Sequence, residues 1–172
     1  MTAVLMGIAI QRGYVRSVGD SIAAYLPKLP HDGKQEITIR DLLKMRSGLD
    51  ADDEGPNSPG NEDRLGQSAD WMATIYAVPM KQRPGAKYVY CSLNAFLAEA
   101  IIENAAKVAL DEFARVSLFA PLRIAKFEWR HVPVGRTTGQ GNLRRTTRDE
   151  AAIGQVNLNG CQTSGRQIIP RA

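Results

Sequence analysis

Leu93, Phe96, Leu97, Ala100 and Ile101 fall on one face of a single helical period. A helix must therefore begin near Ser92 and bury that face against other elements. The lead-in is abrupt: the stretch PGAKYVYCSLNAFLAEAIIE, residues 84–103, runs from a Pro-Gly turn through spaced aromatics to Tyr90, Cys91 and Ser92, and then directly into the helix. The rest of the chain repeats the helical theme. Val4, Leu5, Ile8 and Ala9 carry helical spacing, with Gly13 as a stop. This first helix has no cap and no lead-in, so it reads as the back part of a longer one. In ITIRDLLKMRSGL, Thr38 and Asp41 form a capping-box pair, Ile37 and Leu42 sit as a hydrophobic staple, and Ser47-Gly48 closes the element. Helices are also expected over 69–80, ending at Pro79, and around Leu110, Phe113, Ala114 and Leu118, ending before Pro121. Thr147 and Glu150 offer a second capping box ahead of Ile153, Val156 and Leu158, with Asn159-Gly160 as the stop. Almost no period-two alternation occurs, so the fold class expected is mainly α, and 172 residues suit a single domain spanning 1–172.

Composition narrows the function classes. No apolar run approaches the roughly 20 residues that span a bilayer, so no membrane span is expected, and MTAVLMGIAIQRG lacks the basic start and small-residue cleavage site of a signal peptide. Charge is uneven: the net charge is +4, and residues 123–172 hold nine basic side chains against three acidic ones. Those arginines (Arg123, Arg130, Arg136, Arg144, Arg145, Arg148, Arg166 and Arg171) are scattered without a recognition motif, which reads as a solvated basic surface and gives no nucleic-acid partner. DADDEGPNSPGNEDRLGQS, residues 50–68, is expected to be a flexible acidic loop. Asp50, Asp52, Glu54 and Gly55 open it like a calcium loop, but Asn61 stands where the bidentate acid belongs and prolines interrupt the run, so no metal is expected. Cys91 and Cys161 match no metal or redox spacing, and the compartment stays open.

Four blocks, in order, resemble the serine beta-lactamase-like hydrolases, a superfamily of class C beta-lactamases, penicillin-binding carboxypeptidases, beta-lactamase-fold esterases and nylon-oligomer-type amide hydrolases. ITIRDLLKMRSGL resembles ITVRHLLTHTSGL. Residues 84–103 resemble the family's PG–aromatic–YSN–helix block. LDEFARVSLFAPL resembles its eF…iF.PLGM block, and GNLRRTTRDEAAIGQVNLNGCQTSGRQIIP resembles GGLRMTPRDMAKFGQLYLNGG…G.QIIP. The resemblance spans nearly all of residues 2–170. Arg123 replaces a family glycine, and Ala106 stands where a helix-ending glycine is common.

The resemblance implies an acyl-serine hydrolase acting on a small-molecule ester, amide or lactam, with no cofactor. By position, Tyr90 takes the role of the catalytic tyrosine beside the nucleophile, and Ser92 that of the residue which binds substrate through hydrogen bonds. A phenol of ordinary pKa near 10 serves as a base at neutral pH only where cations favour its phenolate or share its proton. The plainer reading makes Tyr90 a packed aromatic and Ser92 an N-cap; Cys91 reads as a structural filler, with no base placed to activate it.

The resemblance also implies what these residues do not contain. The family's Ser-x-x-Lys would fall just before residue 1, and no serine here has a lysine three positions on. The third motif, Lys-Thr-Gly or His/Trp-x-Gly, would fall after the QIIP block. Arg136-Thr137-Thr138-Gly139 imitates it from the wrong place and is read as coincidence. The expectation is thus a fragment corresponding to the helical domain of the α/β beta-lactamase-like (transpeptidase-like) fold, with most of the antiparallel sheet missing and no activity by itself. The alternative is a non-catalytic binding or self-associating module, a homo-oligomer formed through the exposed side of the 2–11 helix.

Overall fold

The computed structural model describes residues 1–133, 135–163 and 165–170. Arg171, one of the scattered arginines, lies outside them. Helix α5 (Ser92–Ala106) is the axis of the molecule, buried on nearly every side along Leu93, Phe96, Leu97, Ala98, Ala100, Ile101 and Ile102. A helix apolar all round has to be wrapped, and the other elements do the wrapping. Helix α1 (Thr2–Gln11) packs along it through Leu5, Met6, Ile8 and Ala9. Helix α2 (Ile39–Leu43) closes another side with Ile39 and Leu42. Trp71, which opens helix α4 (Trp71–Ala77), rests on Phe96 at a ring separation of 5.1 Å.

The expected capping box on α2 is present: the Thr38 hydroxyl accepts from the Asp41 N–H at 3.2 Å, and Asp41 accepts from the Thr38 N–H at 2.9 Å. Gly48 has φ +81, and a Cβ there would overlap the Gln82 carbonyl oxygen, so only glycine lets this loop approach the 80–83 segment. The acidic segment is less loop-like than its composition suggested. It contains the short helix α3 (Glu62–Gly66), capped by the Asn61 side chain, whose amide also donates to the carbonyls of Asp52 and Asp53.

Helix α6 (Leu110–Ala114) continues into a π-turn over Arg115–Phe119. Strands β1 (Glu128–Trp129) and β2 (Leu143–Arg144) pair antiparallel, Glu128 with Arg144 and Trp129 with Leu143. Helix α7 (Thr147–Leu158) follows, and strands β3 (Gln162–Thr163) and β4 (Arg166–Gln167) form a second short antiparallel pair. The capping box of α7 is shifted by one from the expected frame. Thr146 caps and Asp149 reciprocates, because Thr-Thr-Arg-Asp-Glu offers two equivalent frames one residue apart. Among the described residues the sheet content is limited to these two small ladders. No described helix is long and apolar enough to cross a membrane.

Candidate active site

The segment that delivers Tyr90 is held from both sides by backbone contacts. The Val89 N–H donates to the Met45 carbonyl at 2.9 Å, and the Asp53 N–H donates to the Tyr90 carbonyl at 3.2 Å. Met45 itself sits in left-handed backbone, φ 55, just past α2. That conformation is unfavourable for a residue with a long side chain, and it places strain immediately under the tyrosine segment. With its main chain fixed, Tyr90 leaves its ring half exposed, at 49%. Tyr88 is exposed as well, while Val89 is half-buried and Cys91 buried, the alternation of an extended strand.

Ser92 lies in a different environment. It is the first residue of α5 and is 4% exposed. Its N–H donates to Asp53 Oδ2 at 2.7 Å, and its hydroxyl lies 2.8 Å from both Asp53 Oδ2 and Glu62 Oε2. The other oxygen of Asp53 accepts the Glu62 N–H at 3.1 Å. Asp53 therefore plays the part of a helix cap from a distant loop: a carboxylate at the positive end of a long helix, receiving its orphan donor. The N-cap position belongs to Cys91, whose side chain makes no cap hydrogen bond. Burial pushes the Cys91 thiol up to about 12, so it stays protonated at neutral pH. Its side chain packs in the hydrophobic core.

The structure thus brings Tyr90 and Ser92 to one helix start with opposite exposures: the phenol faces outward, and the hydroxyl is taken up by two carboxylates. Asp53, Glu62 and Met45 are the residues that sequence reasoning missed. Asp53 and Glu62 lie in a segment whose composition signals solvation, and nothing local to Met45 marks a left-handed residue. Arg136-Thr137-Thr138-Gly139 is built into the fold. Thr137 and Thr138 are buried, Trp129 Nε1 donates to the Thr138 and Gly141 carbonyls at 3.1 and 2.9 Å, and the Thr2 hydroxyl donates to the Gly139 carbonyl at 2.5 Å. That last bond ties the first turn of α1 to a loop lying on α5. Gly7 of α1 meets the Pro170 ring, and Ile168 and Ile169 are buried, so the final described segment narrows the α1 face expected to be uncovered. Among the described residues, no group of three or more His, Cys, Asp or Glu side chains is arranged to hold a metal.

A family model described as Beta-lactamase matches residues 1–166. A Salmonella heidelberg (strain SL476) protein named "Putative D-alanyl-D-alanine carboxypeptidase" is 27% identical over 142 residues, covering 77% of this chain and 33% of that protein. The chain therefore spans about a third of the length of the curated relatives it matches. Among solved structures, the "Putative 6-aminohexanoate-dimer hydrolase from Bacillus anthracis" superposes with a TM-score of 0.83 at 17% identity, over 98% of this chain and 48% of that one. The octameric penicillin-binding protein homologue from Pyrococcus abyssi gives 0.68 at 16% identity, over 98% of this chain and 44% of that one. At such identities these structures speak for the fold alone.

Proposed function

The chain belongs to the beta-lactamase family, and from that premise we propose that residues 1–172 are the mainly helical domain of a serine acyl hydrolase in which Tyr90 is the catalytic phenol. The observation that carries this reading is the setting of Tyr90. The main chain of its segment is pinned by Met45 at Val89 and by Asp53 at Tyr90, while its ring stays half exposed at the start of the central helix. A merely packed aromatic has no need of that combination.

In the proposed chemistry a serine attacks an ester, amide or lactam carbonyl, with Tyr90 and a lysine moving the proton. Backbone N–H groups hold the developing oxyanion, and water then releases the acyl group. The names of the Salmonella and Bacillus relatives favour the amide and peptide part of that substrate range. Neither metal nor cofactor is required by this chemistry. For Ser92 the proposed role in substrate binding is indirect: its hydroxyl is directed to Asp53 and Glu62, so it orders the acidic segment that borders Tyr90.

Among these 172 residues no serine is followed by lysine at the third position, and loss of the nucleophile lowers turnover by on the order of a million-fold. Residues 1–172 alone should therefore give no covalent adduct, by mass spectrometry, with a chromogenic short-chain ester or cephalosporin. An adduct would overturn the inactivity and point to another nucleophile. The second reading is self-association through the exposed side of the 2–11 helix, where Ala3 and Gln11 stay exposed beside the segment that covers Gly7. Light scattering on the same sample tests it, and a clean monomer at high concentration counts against it.

A further inference from the structure

Helix α5 carries one group that the site at its N-terminal end leaves unused. Glu99 is fully buried, and neither of its carboxyl oxygens has a hydrogen-bond partner. A bare carboxylate is not stable in that setting, because taking an unpaired charge out of water is far harder than binding a proton. The neighbours sharpen the point. Glu103, one turn further along the same helix, has its carboxylate directed to Arg136 at 2.6 Å and to the Leu110 N–H at 2.9 Å. Arg136 is further held by Asn104 at 3.1 Å, so its guanidinium donors are committed to Glu103 and Asn104. Helix α1 offers no ionisable side chain between Thr2 and Gln11. Burial accordingly pushes the Glu99 acid up to about 10, with the charge and the nearby carboxyl of Glu103 adding to the rise and Arg136 and the Gly139 N–H opposing it.

What lies over Glu99 is the loop that reaches α1. Gly139 sits directly on it: a Cβ at Gly139 would overlap the Glu99 Cβ and press on the Ala95 carbonyl. The Gly139 carbonyl receives the Thr2 hydroxyl at 2.5 Å. In the same loop Thr137 is buried with an unpartnered hydroxyl. The first turn of α1, the 136–141 loop and the middle of α5 thus meet at one point, and Glu99 is beneath it.

We propose that Glu99 is a positioning residue: as an uncharged acid it allows Gly139 to close onto α5, and so docks the first turn of α1 beside the helix that carries Tyr90. Ionisation would leave a bare carboxylate under Gly139 and next to Glu103, and the joint would open. The bearing of this joint on catalysis rests on the reading of Tyr90; the joint itself does not.

The direction of the pH effect follows from linkage. Because the folded-state pKa of Glu99 is raised above its unfolded value, its stabilising contribution is complete only below the ordinary glutamate range. That contribution is lost progressively as pH rises through about 10. Over the interval between, folding takes up one proton at this site, which corresponds to a tenfold fall in the folding constant per pH unit.

The test compares the wild type with Glu99→Gln, which mimics the neutral acid, by urea unfolding from pH 6 to pH 9. The ratio of the two folding constants, variant over wild type, should rise about tenfold per pH unit. Amides in the first turn of α1, corrected for intrinsic exchange, should lose protection at alkaline pH in the wild type and keep it in the variant. A ratio independent of pH overturns the proposal, as does equal alkaline loss of protection in both proteins. Should the variant fail to fold, proton uptake on refolding of the wild type at pH 8 decides: about one proton per molecule assignable to a carboxyl supports the proposal, and none overturns it. Tyr90→Phe should leave the pH dependence of stability unchanged, so failure of this joint and failure of the Tyr90 reading are separable.

Discussion

The start and the middle of the same helix treat carboxylates in opposite ways. At the start of α5, Asp53 receives the Ser92 N–H, the Ser92 hydroxyl and the Glu62 N–H, all within 3.1 Å. In its middle, Glu99 has no donor and is sealed under Gly139. The first arrangement satisfies a charge with orphan helix donors, as a helix N-terminus is suited to do. The second removes a charge by burying it. The fold tolerates a polar outward face where the carboxylate beneath it is hydrogen-bonded. The Asp53 end is wired and presents Tyr90 to solvent, whereas the Glu99 level is packed and holds α1 in place.

Three further substitutions test the contrast. The largest change in stability is expected from Asp53→Ala, which removes the acceptor of the Ser92 and Glu62 N–H groups and leaves the Ser92 hydroxyl only Glu62. By the usual penalty for unsatisfied buried groups it should destabilise the chain by on the order of 3 kcal/mol in urea unfolding. It should do so without the pH slope assigned to Glu99, and a loss under about 1 kcal/mol would mean that water replaces the carboxylate easily. A smaller effect separates the two frames at α7: Thr146→Ala should cost about 1 kcal/mol, the usual value of a lost N-cap. Thr147→Ala, one residue inside the helix, should be near neutral in the same unfolding measurement. Equal losses would mean that both threonines share the cap.

How much of this was legible beforehand depends on whether the determinants are local. The α2 capping box, Thr38 with Asp41, lies within four consecutive residues and its pattern has a single frame. The α7 box shifted by one because tandem threonines precede tandem acids. The buried stripe of α5 was readable from its period, but Glu99 lies off that stripe, where a charged residue reads as facing solvent. A loop forty residues further on covers it, through a glycine that sequence alone assigns to a turn. The link between Asp53 and Ser92 likewise joins residues 39 apart, across a segment whose acidic composition signalled hydration. The block resemblance placed Tyr90 at the helix start, and nothing within the twenty residues around it fixes how exposed its ring is.

The most direct test of Tyr90 uses the pair of exposed phenols, Tyr88 and Tyr90, as each other's control. In a chain that carries these residues together with the family's serine and lysine, Tyr90→Phe should lower kcat/KM for ester or amide hydrolysis by about a hundred-fold to ten-thousand-fold, the usual range for loss of a proton-transfer group. Tyr88→Phe should change it by less than about threefold, since it removes only an exposed hydroxyl with no assigned step. Equal, small effects of both substitutions would contradict the assignment of Tyr90 to the acyl-transfer site.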